Sequence, residues 1–150
     1  MEILYALHRL DVRLFATVFR QGERRFIRQL ARSLSRSADG YLYALVPALL
    51  WLSGAGGVHS LIVLLLCSLA MERSLYWLLK NGLRRRRPQD FIPDFRSLIQ
   101  AADKFSFPSG HSSAAFLLAT SLAIVYQDPA LPMYAWATMI AFSRVILGVH

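Results

Sequence analysis

Phe107-Pro108-Ser109-Gly110-His111-Ser112-Ser113 stands at the head of an apolar run that reaches Tyr126. A proline, a small polar residue, a glycine and a histidine in that position predict the first turn of a membrane-embedded helix. The first backbone N–H groups of a helix lack carbonyl partners, and with the helix dipole behind them they attract anions. Gly110 lets a ligand approach the backbone closely, and His111 offers a proton near neutral pH. The combination points to phosphate chemistry at the mouth of a membrane helix.

Downstream, Gln127-Asp128-Pro129 turns the chain into a second apolar run from Leu131 to Val149, which carries Ser143-Arg144 and ends beside His150. Upstream, Val58 to Leu79 is an apolar stretch that ends in Lys80-Asn81-Gly82-Leu83-Arg84-Arg85-Arg86-Arg87-Pro88. Before it, the run from Tyr41 extended through Gly57 reaches about the 17 residues that a bilayer requires. The expected spans are therefore 41–57, 58–79, 109–126 and 131–149, in an all-α, multi-pass transmembrane helix bundle covering residues 37–150. Glu72 and Arg73 fall inside the second span. Ionisable groups at that depth usually face the bundle interior and pair, so a structural ion pair is expected, with membership of the site as the alternative.

Composition agrees with a membrane setting. The 150 residues are 55% hydrophobic and have a mean hydropathy of +0.39, which suits one membrane domain. The net charge of +8 is carried mostly by arginine. Beside apolar helices such charge faces lipid headgroups or phosphate-bearing substrates, so membrane lipids are expected partners and nucleic acid is not. Cys67 is the one cysteine, which excludes an internal disulfide.

Residues 1–36 form a separate pattern. Ile3, Leu4, Leu7, Leu10, Leu14, Phe15 and Val18 recur at spacings of three and four, and the pattern continues through Phe26, Ile27, Leu30 and Leu34 between arginines. This predicts an amphipathic helical segment lying in the headgroup plane, the alternative being a helix packed on another part of the protein. Charged residues interrupt the apolar stretch and no small-residue cleavage site follows, so it is not a secretory signal.

Counting crossings shows which groups can meet. Lys80 to Arg87 leave the second span on the face where Ser109 to His111 open the third; the fourth returns Arg144 and His150 to it. Two histidines, several cations and a helix N-terminus thus converge on one membrane face.

These residues resemble the three signature motifs of the type 2 phosphatidic acid phosphatase family. Lys80, six residues and Arg87-Pro88 match the first; Pro108-Ser109-Gly110-His111 the second; Ser143-Arg144, five residues and His150 the third. The resemblance covers about residues 37–150 and favours the family's membrane lipid phosphatase branch. It implies that His150 is the nucleophile, forming a phosphohistidine that water then hydrolyses. His111 would protonate the leaving oxygen and later help activate water. Lys80, Arg87 and Arg144, with the Ser109 hydroxyl and the Gly110 amide, would bind the phosphoryl oxygens. On this reading neither a metal nor any other cofactor is required.

The family also carries an aspartate four residues beyond the nucleophilic histidine, which orients the imidazole, and then a further transmembrane helix; the sequence in hand ends at His150. By analogy with the serine-protease triad, loss of such a carboxylate lowers the rate on the order of 10⁴-fold, so poor activity is expected of the 150-residue chain. The expected substrate is a lipid phosphate: phosphatidic acid, phosphatidylglycerol phosphate and polyprenyl diphosphates all fit. The loop from Gln89 to Lys104, with Phe91, Ile92, Phe95, Leu98 and Ile99, is expected either to cover the site or to pack on the bundle. Charge places the motif face in the cytoplasm by the positive-inside rule, whereas the resemblance implies an extracytoplasmic face of a bacterial inner membrane. The competing function is a catalytically impaired, lipid-phosphate-binding membrane protein.

Overall fold

The computed structural model describes residues 2–90, 92, 95–100, 103–127 and 130–149, with side chains described from residue 10 and, in the last helix, from residue 132. The regular elements are α1 (Glu2–Gln21), α2 (Arg25–Ser37), α3 (Leu42–Leu52), α4 (Val58–Leu83), a short 3-10 turn at Pro88–Asp90, α5 (Gly110–Tyr126) and α6 (Ala130–Ile146). Among the described residues there is no strand, so the expected all-α bundle is the fold observed.

α5 is the centre of the bundle, packed between α4 and α6; α3 lies on α4, and both α1 and α2 lie on α6. The α4–α5 seam is made by Leu61 and Leu65 against Leu118 and Leu122, all buried. Each pair is four residues apart, which puts both members on one helix face. Leu42, Val46 and Leu50 of α3 and Met133 and Trp136 of α6 close over the same cluster. The α5–α6 seam is built instead from small side chains, Ala115 and Ala137 with Ile140, and Ala38 from the α2–α3 turn joins them. Small residues let the helix backbones approach closely where apolar burial alone gives little drive between helices.

The helices differ from the expected spans in length. α4 has 26 residues, about 39 Å at 1.5 Å per residue, and among the described residues it is the one helix long and apolar enough to cross a membrane by length and composition. α5 and α6, with 17 residues each, reach about 25 Å. α3 occupies only part of the stretch 41–57, because the chain leaves the helix after Leu52 and both Gly54 and Gly57 take left-handed backbone angles. The outward side chains of α4, among them Leu66, Met71, Leu75, Trp77 and Leu78, are exposed. A surface so apolar matches hydrocarbon surroundings rather than water.

The N-terminal pattern is two helices rather than one. Gly22 breaks it, and a Cβ there would lie 2.9 Å from the Ile146 carbonyl oxygen, so the turn seats directly on the end of α6. α2 buries Ala31 and Ser35 while Phe26 stays 75% exposed. The segment is amphipathic as expected, but its inner side belongs to the bundle.

Leu118 is fully buried in the central seam. Leu118→Ala is expected to cost about 2–5 kcal/mol through lost packing and a residual cavity, seen as a lowered unfolding midpoint in detergent. Phe26→Ala on the outward side should leave that midpoint nearly unchanged.

Candidate active site

Four consecutive arginines end α4, and the fold gives them different tasks. Arg84 caps the helix in a left-handed conformation, and its Nε donates to the Asn81 carbonyl at 2.9 Å. Arg85 pairs with Asp11 of α1 at 2.7 Å. Its backbone carbonyl accepts from the Ser106 amide at 2.8 Å, and the Ser106 hydroxyl donates to the carbonyls of Arg85 and Arg86. That stitching holds the arginine segment against the stretch leading into α5 and turns Arg87 inward. Arg87 is 2% exposed.

Arg87 and Lys80 meet on one carboxylate, Asp103. Lys80 Nζ lies 2.6 Å from Asp103 Oδ2 and also donates to the Tyr76 hydroxyl at 2.8 Å and to the Pro108 carbonyl at 3.3 Å. Arg87 donates through Nε to the Asp103 carbonyl at 3.0 Å, through one terminal nitrogen to the Asp103 carboxylate and through the other to the Val149 carbonyl. Tyr76 donates to Asp103 as well. Burial works to raise the Asp103 carboxyl, but hydrogen bonds from Lys80 and Tyr76 and the charges of Lys80 and Arg87 outweigh it and hold the group below the usual carboxylate range.

Arg144 approaches from α6. It is buried, and its NH1 donates to the Ser35 hydroxyl of α2 at 2.7 Å. Its Nε is buried and has no hydrogen-bond partner among the described residues. Ser143, beside it, turns its hydroxyl back onto the Ile140 carbonyl at 2.7 Å. Gly110 begins α5, with Ser109 in extended conformation at the N-cap and making no side-chain capping bond. The Ser109 hydroxyl instead accepts from Ser112 at 3.0 Å. Gly110 sits where a Cβ would come within 3.2 Å of the Tyr76 ring and 3.4 Å of an Arg73 nitrogen, so a side chain there would crowd the helix start.

These groups border a cavity of about 490 Å³ lined by Asp39, Tyr43, Arg73, Gly110, His111 and Arg144 together with Asp103 and small apolar residues. The Tyr43 hydroxyl is a second buried polar atom in its wall without a partner among the described residues. A further opening of about 400 Å³ lies on the other side of His111 and Arg144, toward Arg32 and Arg36 of α2. Arg73 pairs with Glu72 at 2.5 Å, and Glu72 accepts from Ser113 of α5 at 2.5 Å. The expected ion pair is therefore formed, and its Arg73 also lines the cavity.

Of the residues singled out from sequence, Gly110, His111 and Arg144 line the cavity; Lys80 and Arg87 reach its edge through Asp103. Ser109 is at the N-cap and is not among the lining residues. His150 lies outside the described residues, as does Phe91. The described residues of the loop pack on the bundle and also form part of the rim. Phe95 contacts the rings of Phe15 and Phe19, the Leu98 amide donates to the Leu147 carbonyl at 2.9 Å, and Ile99 lines the second opening.

Sequence reasoning missed Asp103, Tyr76, Ser35 and Asp39. Asp103 is one polar residue in a polar loop, and Ser35 one serine of several at the end of α2. Tyr76 lies four residues before Lys80, which puts the two on one helix face; that spacing was the available signal.

The sequence model of the PAP2 superfamily matches residues 61–150. Among solved structures, the chain is similar to the crystal structure described as the first transmembrane PAP2 type phosphatidylglycerolphosphate phosphatase, from Bacillus subtilis. The identity is 19% and the TM-score 0.71, over 97% of this chain and 75% of that one. At this identity the likeness speaks for the fold.

The Asp103 cluster has an acid signature. A carboxyl held low in the folded protein contributes stability that is complete above about pH 4 and is lost as pH falls through the lowered value. Between about pH 4 and pH 2 the thermal midpoint of the wild type should therefore drop more steeply than that of Asp103→Asn, which starts lower and has no such carboxyl to protonate.

Proposed function

The chain belongs to the PAP2 superfamily, and on that premise we propose that it is a membrane phosphatase acting on the phosphomonoester or diphosphate of a lipid. The observation that carries this reading is the buried Arg144 Nε, without a partner among the described residues, in the wall of a cavity that also holds His111 and the first turn of α5. Buried polar atoms are normally satisfied, so a phosphoryl oxygen accepting from that nitrogen accounts for an otherwise costly arrangement. Arginine suits the task because its planar fork binds two oxygens at once.

His150 attacks phosphorus, a P–N bond forms as the ester or anhydride P–O bond breaks, and His111 gives its proton to the leaving oxygen. Water then attacks the phosphohistidine, His111 takes a proton from it, and phosphate leaves. Lys80, Arg87 and Arg144, with the Ser109 hydroxyl and the Gly110 amide, stabilise the charge on the phosphoryl oxygens. Arg87 donates to the Val149 carbonyl, which ties the chain at that residue to the cation cluster. Asp103 occupies Lys80 and Arg87 in this state, so a phosphate engages both cations only by sharing or displacing that carboxylate.

A lipid substrate is supported by a second feature. An apolar groove of about 600 Å³ between α3 and α4, lined by residues such as Pro47, Trp51, Ile62 and Leu66, shares Tyr43 and Leu69 with the phosphate cavity. A phosphate in the cavity thus has an apolar groove beside it that suits a hydrocarbon tail.

With a ³²P-labelled lipid phosphate, the wild type is expected to acquire an acid-labile label and release phosphate in the presence of a chelator. His150→Ala should do neither, and Arg144→Ala should lower kcat/KM by about 10²–10³-fold. Tight binding of the lipid phosphate by the wild type, with no label and no release, would instead support a non-catalytic binding protein.

A further inference from the structure

His111 Nε2 lies 3.0 Å from Asp39 Oδ1, across 72 residues of chain. The pairing is built into the packing. Asp39 belongs to the turn between α2 and α3, and its amide donates to the Arg36 carbonyl at 3.1 Å. Ser37, two residues earlier, accepts from the Trp136 indole of α6 at 3.0 Å. Ala38 is buried against Ala115, Ala137 and Ile140. Ala115 is four residues after His111 and therefore on the same face of α5. The contact that buries Ala38 on Ala115 thereby sets Asp39 beside the imidazole one turn above. Gly40, at φ +100, then turns the chain away toward α3.

As a surface ion pair this contact is worth little: Asp39 is more than half exposed, and exposed pairs contribute at most modestly to stability. Its consequence lies in where the proton sits. A carboxylate only accepts hydrogen bonds, so the nitrogen facing it carries hydrogen, and Nδ1 is left as the nitrogen available to a substrate.

We propose that Asp39 is a positioning residue for His111, pinning one proton on Nε2 so that Nδ1 performs the transfers; this rests on the phosphatase reading above. In the first step the imidazolium gives its Nδ1 proton to the leaving oxygen as the P–O bond breaks and the P–N bond to His150 forms. The ring is then neutral, still protonated on Nε2 toward Asp39, with a lone pair on Nδ1. That lone pair takes a proton from the attacking water as the P–N bond breaks. Arg144 on α6, Arg73 and Tyr76 on α4, Asp103 in the loop and Arg36 on α2 line the same two openings. Among the described residues, Asp39 is the carboxylate hydrogen-bonded to the ring.

The test is a leaving-group comparison on the full chain. Asp39→Asn is expected to lower kcat/KM for an alkyl phosphate lipid by about 10- to 100-fold, because its leaving oxygen needs a proton. It should leave kcat/KM for p-nitrophenyl phosphate, whose leaving oxygen departs unprotonated, within about twofold, while kcat falls on both esters because the water step needs the same Nδ1. Asp39→Glu should recover part of the alkyl activity. Equal losses of kcat/KM on both esters would make Asp39 a structural residue and overturn the proposal. Ring ¹⁵N shifts of His111 give a readout independent of turnover: a fixed Nε2–H tautomer in the wild type that is lost in Asp39→Asn upholds the pairing, and an unchanged spectrum refutes it. If the wild type hydrolyses neither ester, the phosphatase reading fails, while the ring spectrum still decides whether Asp39 sets the tautomer.

Discussion

Lys80 and Arg87 are both nearly withdrawn from solvent and share a single carboxylate, Asp103. Two cations cannot be held together in a poorly solvated setting without a counter-charge, since removing one partner leaves a buried charge uncompensated. The end of α4, described residues of the loop and the stretch before α5 all make contacts around this cluster. Ser106 stitches the loop to the arginine segment, Lys80 reaches the Pro108 carbonyl just ahead of α5, and Arg87 holds the Val149 carbonyl beyond α6. The cation cluster thus ties together the three chain segments that carry the motifs. The same carboxylate that stabilises the cluster is, on the proposed phosphatase reading, the group a phosphate must share or displace.

The second organising contact is between α2 and α6. Ser35 accepts from Arg144, Ser37 accepts from Trp136, and Ala31 packs with Leu147 and Val149. An amphipathic segment that reads as a surface helix therefore forms one wall of the site. Its polar side serves two purposes: Arg32 donates to the Leu98 carbonyl at 2.9 Å, while Arg36 borders the opening beside His111 and Arg144. The turn that ends α2 delivers Asp39 to the helix start of α5, so the N-terminal pattern and the motif at residues 107–113 meet although the sequence gives no local reason for it.

The sequence by itself determined the helical class and the start and end of α5, and it put Lys80, Arg87, His111 and Arg144 at helix ends expected to meet. Those follow from apolar run length, from turn residues such as Gln127-Asp128-Pro129 and from the parity of crossings, all of which are local or additive along the chain. Only the tertiary structure decided which of four adjacent arginines turns inward, that Asp103 is its counter-charge, that α3 stops at Leu52, and that Ser35 and Asp39 reach the site from a segment outside the motifs. A carboxylate in a polar loop carries no periodic signal. Its role is fixed by which cations lose their water when the helices pack, and that is a property of the assembled bundle rather than of any stretch of sequence.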